Sequence, residues 1–295
     1  TQSNFGIVTE MTIELMPKPE SFLMFVCVAS KSEAIFGLIS AIRNLRLSGT
    51  VQSTVHIANK SRIVGEKENN FVKSWGLSGS ISGPKHLIRG RKKEVRKQLK
   101  QHCKGVKVLF FNDRMVNFLE YLNSYISIAT FKDLKYVYEL QKGIPTNEPL
   151  NILMDSKSQI RGEFFPKDFS KYFRWLPITC QANEQSVKLL LSILEKQFAL
   201  HGYQLRITFT SINPRSLTAV ANFVYGKSAE EERSAQEFYN TILELLFENG
   251  FYPYRCRPDA KKVFENRMES VGELLAGIKK LMDPNQILAP GKYGI

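Results

Sequence analysis

Short apolar runs that suit strands alternate along this chain with longer stretches of helical period. Phe22 to Ala29 is an unbroken run of apolar and β-favouring residues and predicts a buried strand. From Ser32 to Leu47 the apolar residues Ile35, Leu38, Ile39, Ile42 and Leu45 fall on one side of a helix, with Ser30 or Ser32 available as a cap. Val51 to Ala58 alternates as a strand. A second unit follows, with a strand over Leu77 to Ser82, a helix from Pro84 to about His102 and a strand over Val106 to Phe111. Pro84 suits a helix start because its missing donor is not needed there.

Asn112 to Lys171 is less regular, with helical pieces over Met115 to Ser124 and Phe131 to Leu140 and loop chemistry at Gly143-Ile144-Pro145-Thr146 and Glu148-Pro149. The rhythm then returns. Phe173 to Cys180 predicts a strand, and Gln185 to Leu200 predicts a helix closed by Gly202. Gln204 to Ser211 and Leu217 to Tyr225 predict a hairpin turning at Asn213-Pro214. A helix over Ala229 to Glu248 ends at Asn249-Gly250. A strand over Phe251 to Cys256 and a helix over Lys261 to Met282 complete the pattern. The fold class expected is α+β: an antiparallel sheet with helices on one face, built from two β-α-β, ferredoxin-like halves.

The ends of the chain read differently. Asn4 to Thr9 looks like a strand entered from something upstream, and Met11 to Leu15 alternates until Pro17 and Pro19 stop it.

Composition narrows the classes. The chain has 295 residues, 43% of them hydrophobic, with 20 Phe and 11 Tyr, so it can bury a sizeable core. No apolar run reaches the roughly 18 to 20 residues a membrane span needs. Thr1 to Glu10 has no secretory pattern. Cys27, Cys103, Cys180 and Cys256 are widely spaced and form no C-x-x-C pair, which argues against zinc and for free thiols in a reducing cytoplasm.

The net charge is +13, and its excess is concentrated. Between Lys85 and Lys107, Glu94 is the single acid among a crowd of lysines and arginines. Such a stretch attracts nucleic acid or another anionic partner, or is simply a solvated helix face. It holds no interleaved aromatics for base stacking, so nucleic acid is the less favoured partner. Asp155, Glu163 and Asp168 show no spacing that suits acid–base work and read as solvated carboxylates.

Two segments carry a family resemblance. One is Ser3-Asn4-Phe5-Gly6-Ile7-Val8-Thr9 followed by Leu15-Met16-Pro17-Lys18-Pro19; the other is Asp283-Pro284-Asn285-Gln286-Ile287-Leu288-Ala289-Pro290-Gly291-Lys292-Tyr293-Gly294-Ile295. Together with Gly143 to Thr146, Phe209-Thr210 and Tyr254-Arg255, they resemble the flavin-linked phenol oxidases of the vanillyl-alcohol oxidase and 4-cresol dehydrogenase type. The resemblance spans essentially the whole chain.

That resemblance implies an organisation. Residues 1–19 would be the last strand pair of an FAD-binding domain whose remainder lies outside this sequence. Residues 20–282 would form the substrate cap, and residues 283–295 would return to the flavin domain. The expected partners are that N-terminal FAD-binding domain and a small-molecule substrate, with a homo-oligomer left open and no membrane. No Gly-x-Gly-x-x-Gly fingerprint occurs, so this chain alone is not expected to build a dinucleotide site.

The resemblance also implies roles. Tyr254 would bind a phenolic oxygen, and Arg255 would sit near the flavin edge that gains negative charge on reduction. Gly6, Ile7, Asn285, Gly291 and Lys292 would line the cofactor. In several members a His or Tyr of the cap bonds covalently to the flavin; that position falls near Leu217-Thr218 here, so FAD would be held non-covalently. Two alternatives stay open: a flavin oxidase of the wider fold acting on a non-phenolic hydroxyl, and a non-catalytic basic binding module.

Overall fold

A computed structural model describes residues 4–15, 17–65, 72–125, 129–146, 171–255 and 269–290. The strands are β1 (Ser21–Ala29), β2 (Val55–Asn59), β3 (Trp75–Gly83), β4 (Lys107–Phe111), β5 (Tyr172–Gln181), β6 (Arg206–Ser211), β7 (Ser216–Tyr225) and β8 (Tyr252–Pro253). The helices are α1 (Ala34–Leu47), α2 (Lys60–Val64), α3 (Lys85–His102), α4 (Asp113–Tyr125), α5 (Ala129–Gln141), α6 (Glu184–Leu200), α7 (Ala229–Glu248) and α8 (Glu269–Met282).

The strands form one sheet in the order β4-β1-β3-β2-β6-β7-β5-β8, every pairing antiparallel. Each half is a β-α-β-β-α-β unit. The halves meet edge to edge at β2 and β6, so the two second strands form the seam. Arg46 at the end of α1 reinforces it, donating to Gln52 O at 2.8 Å and, across the seam, to Ile212 O at 2.6 Å.

Alternation decides which face each side chain takes. Leu23, Phe25 and Cys27 of β1 join Val55 and Ile57, Leu77 and Ile81, Ile207 and Phe209, and Leu176 and Ile178 in one core beneath α1, α3, α6 and α7. The apolar stripe of α1, Ile35, Leu38, Ile39, Ile42 and Leu45, is wholly buried there. In the second half the rings of Phe198, Phe223, Phe238 and Tyr203 interlock.

The helices end where local chemistry directs. Asn183 caps α6, Ser228 and Glu231 form a capping box on α7, and Gly202 and Gly250 take positive φ just past the two C-termini.

Four features differ from the sequence-based expectation. First, α4 and α5 lie on the opposite face, where Val116, Leu119, Leu134, Val137 and Tyr138 cover Phe22, Met24 and Val26. The unbroken apolar run of β1 is thereby explained: it is buried on both sides. Second, residues 6–15 form no strand, and Ile7, Val8, Met11, Ile13 and Leu15 stand exposed, because alternation alone supplies no hydrogen-bonding neighbour. Third, β8 has two residues where Phe251 to Cys256 was expected; Tyr254 and Arg255 bend away and Cys256 lies outside the described residues. Fourth, the N-cap of α1 is Glu33, without a side-chain cap bond. The final helix is described from Glu269 onward.

Candidate functional site

The sheet face opposite the main core is polar across its middle. One row crosses it strand by strand: Val26 of β1, Ser78 of β3, His56 of β2, Thr210 of β6, Thr218 of β7 and Thr179 of β5, ending opposite Tyr252 of β8. His56 Nδ1 lies 3.0 Å from Thr210 Oγ1, and Gln141 at the end of α5 donates from Nε2 to Ser78 Oγ at 3.5 Å. Burial holds the His56 imidazole below its ordinary pKa. Among the described residues, the apolar cluster under α4 and α5 does not extend over β6, β7 and β5.

A second row lies towards one end of the same face. Arg206 stands opposite Asn222, and Asn222 opposite Trp175. Asn222 is 0% exposed, and neither Oδ1 nor Nδ2 has a hydrogen-bond partner. Arg62 of α2 places its guanidinium 6.0 Å from the centre of the Trp175 ring. The junction that carries Arg62 is fixed by Asn59. Its Oδ1 accepts from the backbone N–H groups of Arg62 and Ile207, and its Nδ2 donates to Leu205 O. α2 rests against the sheet at Gly76, where Ile63 fills the space a side chain would need. An open cavity of about 180 Å³ adjoins this row, lined in part by Lys171, Gln204, Arg206 and Val224.

The residues expected from the sequence fall in three places. Tyr254 and Arg255 follow β8 directly, both exposed at the sheet edge beside β5. At Leu217-Thr218 the two side chains part company: Leu217 is buried in the main core, and Thr218 alone shares the row with Thr210 and His56. His56 thus lies two strands from Thr218, with Thr210 of β6 between them. Gly6 has open space around it, Ile7 is 79% exposed, and Asn285 is exposed in the turn after α8. Gly291 and Lys292 lie outside the described residues, as do Asp155, Glu163 and Asp168.

The two motif segments at the chain's ends nevertheless meet. Lys279 of α8, itself buried, donates to Asp283 Oδ2 at 2.6 Å, to Asn4 O at 2.9 Å and to Leu288 O. Asp283 also accepts from the N–H groups of Ile287 at 3.0 Å and Leu288 at 2.8 Å. The Lys279 ammonium, first, and the backbone donors pull its carboxyl down to about 2.

Other candidate chemistry is structural. Arg174 is buried on the core side, joined to Glu232 and to Gln236 Oε1, over the rings of Tyr225 and Tyr239. Cys27, Cys103 and Cys180 are buried free thiols, raised by burial to about 12, 11 and 12. Several cations of α3 are engaged locally: Arg91 donates to Ser82 O, and Lys92 and Arg96 lie over the Phe110 ring. Among the described residues no cluster of His, Cys, Asp and Glu could hold a metal, and no helix is long and apolar enough to cross a membrane.

No family model matches the chain. Among curated proteins it is 24% identical over 324 residues to the 1'-carboxy-chondrochloren decarboxylase of Chondromyces crocatus, covering 99% of this chain and 60% of that protein. It is also 24% identical over 324 residues to the 4-cresol dehydrogenase [hydroxylating] flavoprotein subunit of Pseudomonas putida, covering 100% of this chain and 56% of that protein. The fold matches p-cresol methylhydroxylase with a TM-score of 0.72 at 21% identity, over 95% of this chain and 54% of the other. It matches the 4-ethylphenol oxidase of Gulosibacter chungangensis with a TM-score of 0.79 at 18% identity, over 100% and 57%. The chain is thus a homologue of the 4-cresol dehydrogenase flavoprotein subunit and spans less than two thirds of the length of these relatives.

Proposed function

We propose that this chain is the substrate-facing part of a longer FAD-dependent oxidoreductase that oxidises a phenolic or alcohol substrate. The reading rests chiefly on one observation: the polar sheet face, bordered by Tyr254 and Arg255, belongs to a chain whose whole length aligns with 56% of a flavoprotein that is named for a cresol. The chondrochloren relative, named for a carboxylated compound, keeps the substrate class broad.

The residues present suit a flavin held without a covalent bond. The row Ser78, His56, Thr210 and Thr218 offers hydrogen-bonding groups to a flat polar ring system; Thr218 brings neither imidazole nor phenol to it, and the His56 imidazole is engaged with Thr210. FAD bound there would supply hydride acceptance, the chemistry that side chains lack. Asn4, Gly6, Ile7 and the turn at Asn285 would meet the flavin domain together, because the clasp at Lys279 joins the two segments. Gly291 and Lys292 would extend that contact.

Within the site, the Tyr254 hydroxyl would hydrogen-bond the substrate oxygen. Arg255 would place a permanent positive charge where negative charge develops, which favours both the phenolate and the reduced ring edge. Two neighbours on a regular strand point to opposite faces; β8 ends at Pro253, and the bend that follows frees Tyr254 and Arg255 from that constraint. The test is anaerobic mixing of the whole flavoprotein with 4-ethylphenol and with simple alcohols. Bleaching of the flavin by the phenol supports the reading. A flavin that stays oxidised with every phenol and alcohol tried would refute it.

A further inference from the structure

The row Arg206–Asn222–Trp175 holds a group that the fold does not explain. Asn222 is fully buried, yet its amide leaves a donor and an acceptor unpaired. Buried side-chain amides nearly always find partners, so such a group points to one that binds. Its neighbours set the sign of that partner. Burial, first, disfavours the charge of Arg62 and lowers its pKa; Tyr136 of α5 opposes this in part, and Arg206 adds a smaller push in the same direction as burial. A half-buried guanidinium such as that of Arg62 gains from an anion beside it, which offsets the cost that burial places on its charge. The cavity beside the row adds Lys171 to its lining.

We propose that Arg62, Arg206 and Asn222 form an anion subsite that receives the carboxylate of an aromatic hydroxy-acid. The proposal deepens the reading above by assigning the far end of the substrate. Asn222 Nδ2 donates to a carboxylate oxygen, and Arg62 supplies the charge and the planar fork that suits a carboxylate. Asn222 Oδ1 then accepts from a guanidinium N–H or from a water the anion brings. β7, which carries Asn222, is separated from β8 by β5 alone. Two strand spacings, ~10 Å, separate them across the sheet, and the step along β5 from Trp175, opposite Asn222, to Ile178, opposite Pro253, adds to that span, which fits a phenol bearing a para side chain that ends in a carboxylate.

The probes are 4-hydroxycinnamate and its uncharged amide, with 4-ethylphenol as a phenol lacking the acid. Binding is followed by calorimetry on the 295-residue chain and on the whole flavoprotein. The expected result is that the acid binds about tenfold or more tightly than the amide, as for a charge-assisted hydrogen bond. Arg62→Met and Asn222→Asp should each bring that ratio close to one while leaving 4-ethylphenol binding unchanged. Equal affinity for acid and amide, no binding of either to the whole flavoprotein, or a preference that survives both substitutions in folded protein would overturn the proposal. Should Asn222→Asp fail to fold, Arg62→Met decides alone, since it keeps the length of a half-buried side chain on the short helix α2. Acid preference without flavin reduction by any phenol would keep the subsite and refute the oxidoreductase reading. Flavin reduction without acid preference would do the reverse.

Discussion

His56 and Thr210 face each other across the seam of the sheet, with Nδ1 3.0 Å from Oγ1, at the junction where the two halves pair. Burial favours the neutral imidazole, so its pKa in the folded chain lies below the ordinary value of 6.5. The unfolded chain therefore binds the proton more readily. The stabilisation is complete above the unfolded pKa near 6.5 and is lost as the pH falls through the lower folded value. Thermal midpoints measured from pH 7 down to pH 5 should drop more steeply for the native chain than for His56→Gln, which keeps a polar group but carries no titrating proton. Parallel slopes would show that another group governs this range.

The clasp at Lys279 should respond asymmetrically to substitution. Lys279→Met leaves Asp283 with the two backbone donors of Ile287 and Leu288. Asp283→Ala leaves a buried ammonium facing carbonyl oxygens alone, and strips two N–H groups of their acceptor. An unpaired buried charge is the costlier outcome. Limited proteolysis should therefore cut within residues 5–9 or 286–290 faster in Asp283→Ala than in Lys279→Met, and faster in both than in the native chain. The carboxyl stays ionised until about pH 2, so the clasp should persist through mild acid and be lost only as the pH falls towards that value. Equal cleavage in all three proteins would remove the clasp from the account.

These two sites show what the sequence discloses. Helical spacing in α1 names Ile35, Leu38, Ile39, Ile42 and Leu45, and all five are buried, because a helix settles its own face locally. Alternation likewise separates Leu217 from Thr218. It cannot say that Thr218 is one strand from Thr210 and two from His56, because the order of strands depends on pairings between distant segments. Asn222 was invisible for the same reason: in sequence it is one polar residue in an apolar strand, and its unpaired amide exists only once Trp175 and Arg206 flank it. Ile7 and Leu15 mark the converse failure. Their alternation is genuine, but no described strand pairs with it.

Gly37 of α1 lies tight against the C-terminal end of α3. A methyl group added there would meet His102 O at 2.2 Å and Cys103 Sγ at 2.7 Å. The first of these is backbone, so the helices must separate. Gly37→Ala should lower stability by about 1–3 kcal/mol despite its better helix propensity, the scale of overpacking a tight contact. Urea denaturation provides the measurement. A gain in stability would show that α3 shifts freely.

The 295-residue chain on its own should purify without colour. Its sheet can contribute contacts to a flavin ring, but it has no glycine-rich loop to hold a pyrophosphate. Absorbance after desalting in the presence of added FAD is the check. A stoichiometric yellow complex would place the main binding determinants within this chain.

Arg255 and Tyr254 allow the proposed chemistry to be divided between binding and rate. Both lie just beyond β8, where the bend after Pro253 permits neighbours to serve one site. A charge that is already in position when the ring edge becomes negative lowers the barrier without reorganising, and losing one such donor costs about two to three orders of magnitude in rate. Arg255→Ala in the whole flavoprotein should slow flavin reduction by that factor. Tyr254→Phe removes only a hydroxyl, so it should weaken the binding of phenols more than that of compounds without the phenolic oxygen. Both residues are exposed, so neither change should alter the thermal midpoint by much. Stopped-flow reduction across a range of substrate concentrations separates the two effects, with flavin occupancy fixed by absorbance. Near-native reduction by Arg255→Ala at full occupancy would take the charge-stabilising role from this residue, and an unchanged phenol affinity in Tyr254→Phe would do the same for the hydroxyl.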